Sequence, residues 1–222
     1  VSDYDVTSLM SALEAPAGVR LRQATVVSNS GITSTITLAG GSTQLTGIAR
    51  MSHVYPLPGS AVWVAVDGRD MMIIGTLSSV PVPHVRVARS TSQSIALATY
   101  TNVVFNTVQG IDTWGMWNGT NPERMNAPID GIYMATANTQ ITAPGTAEVV
   151  YAALVHTRAG TSQYVDYSFT GATGYNLNVN VTGVYPMLAG DYVLSQVWLG
   201  GSASTISAGL AFASLTYLGP KP

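Results

Sequence analysis

The chain has 222 residues, a formal net charge of −2, no cysteine, and charged side chains at only 9% of positions. Disulfide frameworks and thiolate metal sites are therefore excluded, and the charge balance supplies no basic patch for nucleic acid. A monomer this poor in charge would be sticky, and burial of much of its surface in an oligomer resolves that.

Residues 1–17 carry the one helical pattern. Val6, Leu9, Met10 and Leu13 repeat at i, i+3, i+4 and i+7. Asp3 or Asp5 supplies an N-cap and Pro16 ends the pattern. A short helix is predicted here, packed on its own domain or docking onto its copies or a neighbouring protein. The same stretch lacks the basic and apolar regions of a secretion signal. No run in the chain reaches the ~18 apolar residues of a membrane span. Neither a cleaved signal nor membrane insertion is expected.

Residues 18–77 hold five short alternating runs. They are Val19 to Ser28, Ile32 to Leu38, Thr43 to Met51, Ala61 to Val66 and Met71 to Leu77. Asn29-Ser30-Gly31 and Asp67-Gly68-Arg69-Asp70 supply turns. Five antiparallel strands in so short a span predict a small OB-like barrel. Alternation is expected to bury Trp63 with its neighbours Val62 or Val64. The segment Pro58-Gly59-Ser60-Ala61-Val62-Trp63-Val64, followed by Asp67 to Leu77, resembles the small barrel near the N-terminus of many phage tail and baseplate proteins. That resemblance implies a trimeric adaptor. Single-strand recognition needs exposed aromatics among basic residues, and here only Trp63 and Tyr55 stand among scattered arginines.

Residues 78–91 read as a linker, because Pro81 and Pro83 alternate with Val82 in an extended, semi-rigid pattern. Residues 92–222 then run in short apolar segments separated by turn residues, which predicts a jelly-roll β-sandwich. Candidate strands are Ser94 to Ala98, Asn102 to Phe105, Asp112 to Trp117, Gly131 to Ile141, Ala147 to Thr157, Gln163 to Phe169 and Tyr175 to Val184. Tyr192 to Leu199 and Leu210 to Leu218 follow, read as a closing hairpin about a GGSAS turn. In the first of these, Val193, Ser195, Val197 and Leu199 share one face. The other face is not clearly polar either, so both are expected to be covered, one by a second sheet and one by another subunit.

Three segments of this region resemble the complement globular-head domain, within the tumour-necrosis-factor-like jelly rolls. They are Tyr100 to Phe105 (YTNVVF), Asn126 to Tyr133 (NAPIDGIY), and the order from Gly190-Asp191-Tyr192-Val193 to the closing run Ala211 to Gly219. The resemblance spans about residues 92 to 219. The complement heads usually carry more Phe at core positions, and here Met116, Met125 and Met134 appear instead. The resemblance implies a homotrimeric jelly-roll head.

No catalytic motif is present. The eleven carboxylates are dispersed, and glycoside hydrolysis needs two of them facing one cleft. Glu123 with Asp130, or Glu148 with Asp166, can be nominated, but no spacing rule supports either pair. Asp130 and Asp191 each adjoin a glycine at a strand entrance, which suits turn formation. His53, His84 and His156 sit in separate segments without metal-ligand spacing. His156, at a strand end, reads as a surface or subunit-contact residue. No catalytic, cofactor or metal residue is assigned.

Trp114, Trp117, Asn118 and Asn121 form the loop best suited to a ligand. Aromatics beside amides can stack on a sugar and hydrogen-bond to it. The plainer reading places both tryptophans in the sandwich core or a subunit interface. Together these readings define an all-β chain: a short N-terminal helix, an OB-like barrel and a jelly roll. The expected role is a non-enzymatic homotrimer at a phage tail tip or baseplate. It would contact other virion proteins and present a host-glycan site. Capsid decoration, or glycan depolymerisation, are the alternatives.

Overall fold

The computed structural model describes residues 19–51, 54–68, 70–78, 80–142, 146–173, 176–201 and 204–221. The helix expected within residues 1–17 lies outside them. The chain forms two compact units that divide between Pro81 and Val82, and every described element is a strand or turn.

The first unit is a closed barrel of β1 (Val19–Ser30), β2 (Thr33–Leu38), β3 (Gln44–Arg50), β4 (Ala61–Asp67) and β5 (Asp70–Ser78). Its order is β1-β2-β3-β5-β4, with β4 returning to β1. Closure comes from a short parallel pairing of β3 with β5, Ala49 opposite Met72 and Arg50 opposite Ile73. It leaves no free sheet edge for another chain to extend. Strand β1 is long enough to pair with both β2 and β4, and a register shift between Val26 and Ser28 bends it. The Pro58-Gly59-Ser60 turn is fastened to that bend. Gly59 N–H donates to the Val26 carbonyl at 2.8 Å, and Val26 N–H to the Ser60 carbonyl at 3.0 Å. Gly59 has φ 87°, a left-handed conformation that glycine adopts without strain. Val26, Ile36, Val62, Val64 and Ile73 fill the interior. Trp63 does not join them. Strand alternation that buries Val62 and Val64 turns Trp63 outward, where it is half-buried and opposite Gln23 and Gly75.

The second unit is a two-sheet sandwich. Its strands are β6 (His84–Arg89), β7 (Gln93–Ile95), β8 (Thr101–Asn102), β9 (Thr107–Asp112), β10 (Arg124–Asn126), β11 (Gly131–Thr142), β12 (Thr146–Arg158), β13 (Thr161–Thr173), β14 (Leu177–Met187), β15 (Tyr192–Gly200) and β16 (Ser204–Gly219). One sheet runs β14-β11-β16-β6-β9 with β7 also on β16; the other runs β10-β15-β12-β13 with β8 also on β15. This is a jelly-roll arrangement: from β13 on, successive strands alternate between the two sheets, while β12 and β13 form a hairpin within one of them. It overturns the expected closing hairpin. Strands β15 and β16 do not pair, because the chain changes sheets between them. Each is an inner strand of its own sheet and turns one face into the shared core, Val193, Val197 and Leu199 from β15 and Ile206, Ala211, Ala213 and Leu215 from β16.

Strand β11 alternates buried and half-buried along its length. Tyr133, Ala135, Ala137 and Ile141 enter the same core as Val150, Leu154, Val193, Val197 and Leu199 from the other sheet. Each large aliphatic side chain so buried contributes about 1.5–3 kcal/mol. The glycine of the GIY segment has a steric reason. A Cβ at Gly131 would run into the Tyr217 ring, which meets Tyr133 edge-on at 5.4 Å.

Two boundaries differ from expectation. The linker predicted over 78–91 is cut short, because His84–Arg89 pairs with β16 along its whole length as a sandwich strand. Asp112 to Trp117 is not a strand: β9 ends at Asp112 and a loop follows. The cause is the Asp112 carboxylate, which accepts backbone N–H groups of Met116 at 2.8 Å and Trp117 at 3.1 Å. Amides turned inward to one side chain cannot form a ladder.

Candidate functional site

The loop after β9 holds the four residues singled out for sugar binding, and it joins them into one structure. Trp114 and Trp117 are both partly buried against the sandwich core. The Trp117 indole N–H donates to the Pro122 carbonyl at 3.0 Å. The Asn118 side-chain oxygen accepts the N–H groups of Thr120 and Asn121, both at 3.1 Å, closing a tight turn. The Asn121 carbonyl accepts Arg124 N–H at 3.1 Å. The Asn126 side chain donates to the Met116 carbonyl at 3.1 Å. The loop is held by its own polar groups.

A second cluster lies where β12, β13 and β14 meet the 186–191 turn. Strands β12 and β13 are joined by Ala159 and Gly160, both with positive φ. That is the pattern of a two-residue primed turn, which makes a stiff hairpin end. His156 and Arg158 stand two residues apart on one strand and so share a face. Asp191 approaches from the Gly190-Asp191-Tyr192 turn, where Gly190 has φ 89°. One Asp191 oxygen, Oδ2, accepts three donors: Arg158 Nε at 2.8 Å, Leu188 N at 2.9 Å and His156 Nε2 at 3.1 Å. Asp191 is 5% exposed and His156 8%. Burial opposes the Asp191 charge. The hydrogen bonds from Leu188, Arg158 and His156, with the Arg158 charge, outweigh that and hold the carboxyl below the usual carboxylate range.

Tyr185 reaches in from the opposite sheet and stacks on His156, with ring centroids 6.2 Å apart and planes 9° from parallel. Its hydroxyl lies beside the Asp166 carboxylate in a space that only glycine at position 183 leaves open. Burial, then the Asp166 charge, push the Tyr185 hydroxyl pKa up. Outside this buried group, His156, Arg158, Thr161 and Gln163 line a pocket of about 310 Å³.

His156 is therefore not the surface residue the sequence suggested. It shares the core-facing parity of Leu154, and the burial of Asp191 carries it inside. The available signal was the His156-x-Arg158 spacing at a strand end. Asp191 does form a turn, as expected, through Leu188 N–H, and also anchors the cluster. Asp130 accepts Ala189 N–H at 2.8 Å, and Glu123 pairs with its neighbour Arg124 at 3.1 Å. Glu148 lies opposite Ala172 while Asp166 lies opposite Leu154. Six strand residues separate those positions, about 20 Å. Among the described residues no three His, Asp or Glu side chains gather as a metal site.

No protein-family model matches this sequence, and no curated protein matches it. Solved structures similar in fold are tumour-necrosis-factor-like and complement-head domains. Murine APRIL at pH 5.0 aligns with a TM-score of 0.49 and 12% identity, over 62% of this chain and 100% of that one. The globular domain of the zebrafish complement 1qA protein aligns at 0.48 with 16% identity, over 63% and 99%. Eiger, a tumour necrosis factor from S. frugiperda, aligns at 0.48 with 10% identity, over 64% and 96%. Likeness at this level carries no information about ligand or partner.

Proposed function

We propose that the chain is a homotrimeric, non-enzymatic attachment protein of a phage tail tip or baseplate. In this reading the barrel fastens it to the particle and the sandwich is the recognition head. One observation carries the assembly. The outward positions of β11, β14 and β16 carry no charged residue, from Ile132 and Met134 through Thr136 and Asn138 to Val184, and the face ends at β6, where the Arg86 guanidinium lies over the Phe212 ring. Its hydroxyls and amides already pair laterally, Thr136 with Ser214 at 2.6 Å and Asn138 with Asn180. Such a face can be covered by a neighbouring copy of the chain at little desolvation cost.

Light scattering on the purified chain should give about three times the 23.2 kDa monomer mass. Thr136→Arg, which places a cation at the middle of that face, should yield a folded monomer. A wild-type chain that stays monomeric at micromolar concentration overturns the assembly. Antibody labelling of intact particles tests the location, and label confined to the capsid shell overturns the tail-tip assignment.

A further inference from the structure

We infer that the pocket beside the His156–Asp191–Arg158 cluster binds a small, singly charged, hydroxyl-bearing carboxylate, in size an acidic monosaccharide. The site is built within one chain, so it goes beyond the proposed trimer and does not require it. Its charge is set by geometry. Asp191 is buried and points inward, whereas the Arg158 side chain is 40% exposed. Arg158 is therefore the cation of the pocket lining that a ligand can reach. Among the described residues, Arg158 donates through Nε to Asp191 and through Nη2 to the Pro186 carbonyl, both at 2.8 Å. These bonds occupy two of its five N–H groups and fix the plane of the guanidinium. The Nη1 and Nη2 end then presents two parallel donors, the fork that matches a carboxylate.

The charge of the ligand follows from the same bonds. Asp191 already offsets the formal charge of Arg158, so an anion is held through the remaining guanidinium N–H donors rather than by net charge, and a sulfate or phosphate dianion is disfavoured more than a monoanion. The remaining lining, the Thr161 hydroxyl and the Gln163 amide, is neutral and suits ligand hydroxyls. The volume lies at the small end of ligand sites, which run from ~300 to ~1,000 Å³. The hairpin turn and the stacked Tyr185 hold the walls in place before the ligand arrives, which lowers the ordering cost of binding.

Calorimetric titration with galacturonate, galactose, acetate and sulfate tests this. Galacturonate should bind with a dissociation constant of about 1 mM or tighter. Galactose, lacking the carboxylate, and acetate, lacking the hydroxyls, should each bind at least about tenfold more weakly. Arg158→Lys keeps the charge and loses the fork, and should weaken galacturonate about tenfold. Gln163→Ala, at an exposed rim position, should weaken it about threefold with the thermal midpoint unchanged, and serves if Arg158→Lys fails to fold. No heat with galacturonate at about 10 mM overturns the inference. So does equal binding of galactose or sulfate, or unchanged affinity in both variants. The light-scattering mass of the same sample separates the two proposals: a monomer that binds removes the trimer and leaves the pocket.

Discussion

The loop 112–126 and the hairpin end 156–163 both rest on a buried or half-buried carboxylate that accepts backbone amides, yet they leave different groups facing outward. Asp112 gathers the amides of its own loop, and Asn118 and Trp117 turn their polar atoms back onto the same segment. Asp191 takes one amide from its turn and two side chains from another strand. One of those side chains, Arg158, is only half covered and projects into a pocket. A loop rich in aromatics and amides thus bonds within itself, while a plain-looking turn gathers side chains from a distant strand. What differs is whether the partners are local or come from a strand distant in sequence.

The largest effect should come from filling the space beside the second region. Gly183→Ala drives a methyl group into the Tyr185 hydroxyl and the Asp166 carboxylate. The stacked pair must move, and the loss should be ~3 kcal/mol. Urea unfolding followed by circular dichroism measures it, and a midpoint unchanged from wild type would show that Tyr185 is not held where it appears.

Asp191→Asn should cost ~2–3 kcal/mol at neutral pH, through the lost charge-assisted hydrogen bonds. Because the folded-state pKa of Asp191 is depressed, its contribution is complete above the unfolded carboxylate pKa of about 4 and is lost as pH falls through the folded value. The gap between wild type and variant should therefore be full at pH 7 and narrow below about pH 4. A gap independent of pH would mean that the ion pair is not its source.

Trp117→Ala sharpens the comparison from the other side. The side chain is only partly buried, so the loss should be ~2 kcal/mol rather than the 3–5 of a fully buried aromatic. Galacturonate affinity should stay within about twofold of wild type, since Trp117 does not line the pocket. A variant of native stability that no longer attaches to host cells would make this loop the recognition site and break the contrast.

Much of the fold was legible in the sequence because it is local. Alternation along β11 and β15, the turn residues around Gly31 and Gly59, and the low charge all act within a few residues or through bulk composition. They suffice for the all-β class, the barrel and the sandwich. The parity of Val193, Ser195, Val197 and Leu199 could be read directly, and all four are buried. Which sheet a strand joins is a different kind of information. Nothing in Tyr192 to Leu218 distinguishes a hairpin from a crossover, because each strand buries one face in the core in either arrangement. His84–Arg89 similarly looked like linker until β16 supplied its hydrogen-bond partners.

The sequence by itself determined that the chain would fold as strands in two units, through periodicities that every residue expresses alone. Only the tertiary structure decided which polar residues could serve a ligand. Position Asp191 is separated from His156 by 35 residues, and neither predicts the other. Their meeting depends on β12 and β15 pairing in one register, with Tyr185 closing over them from the opposite sheet. A buried charge is tolerated only where its partners converge, and convergence is a property of the folded chain.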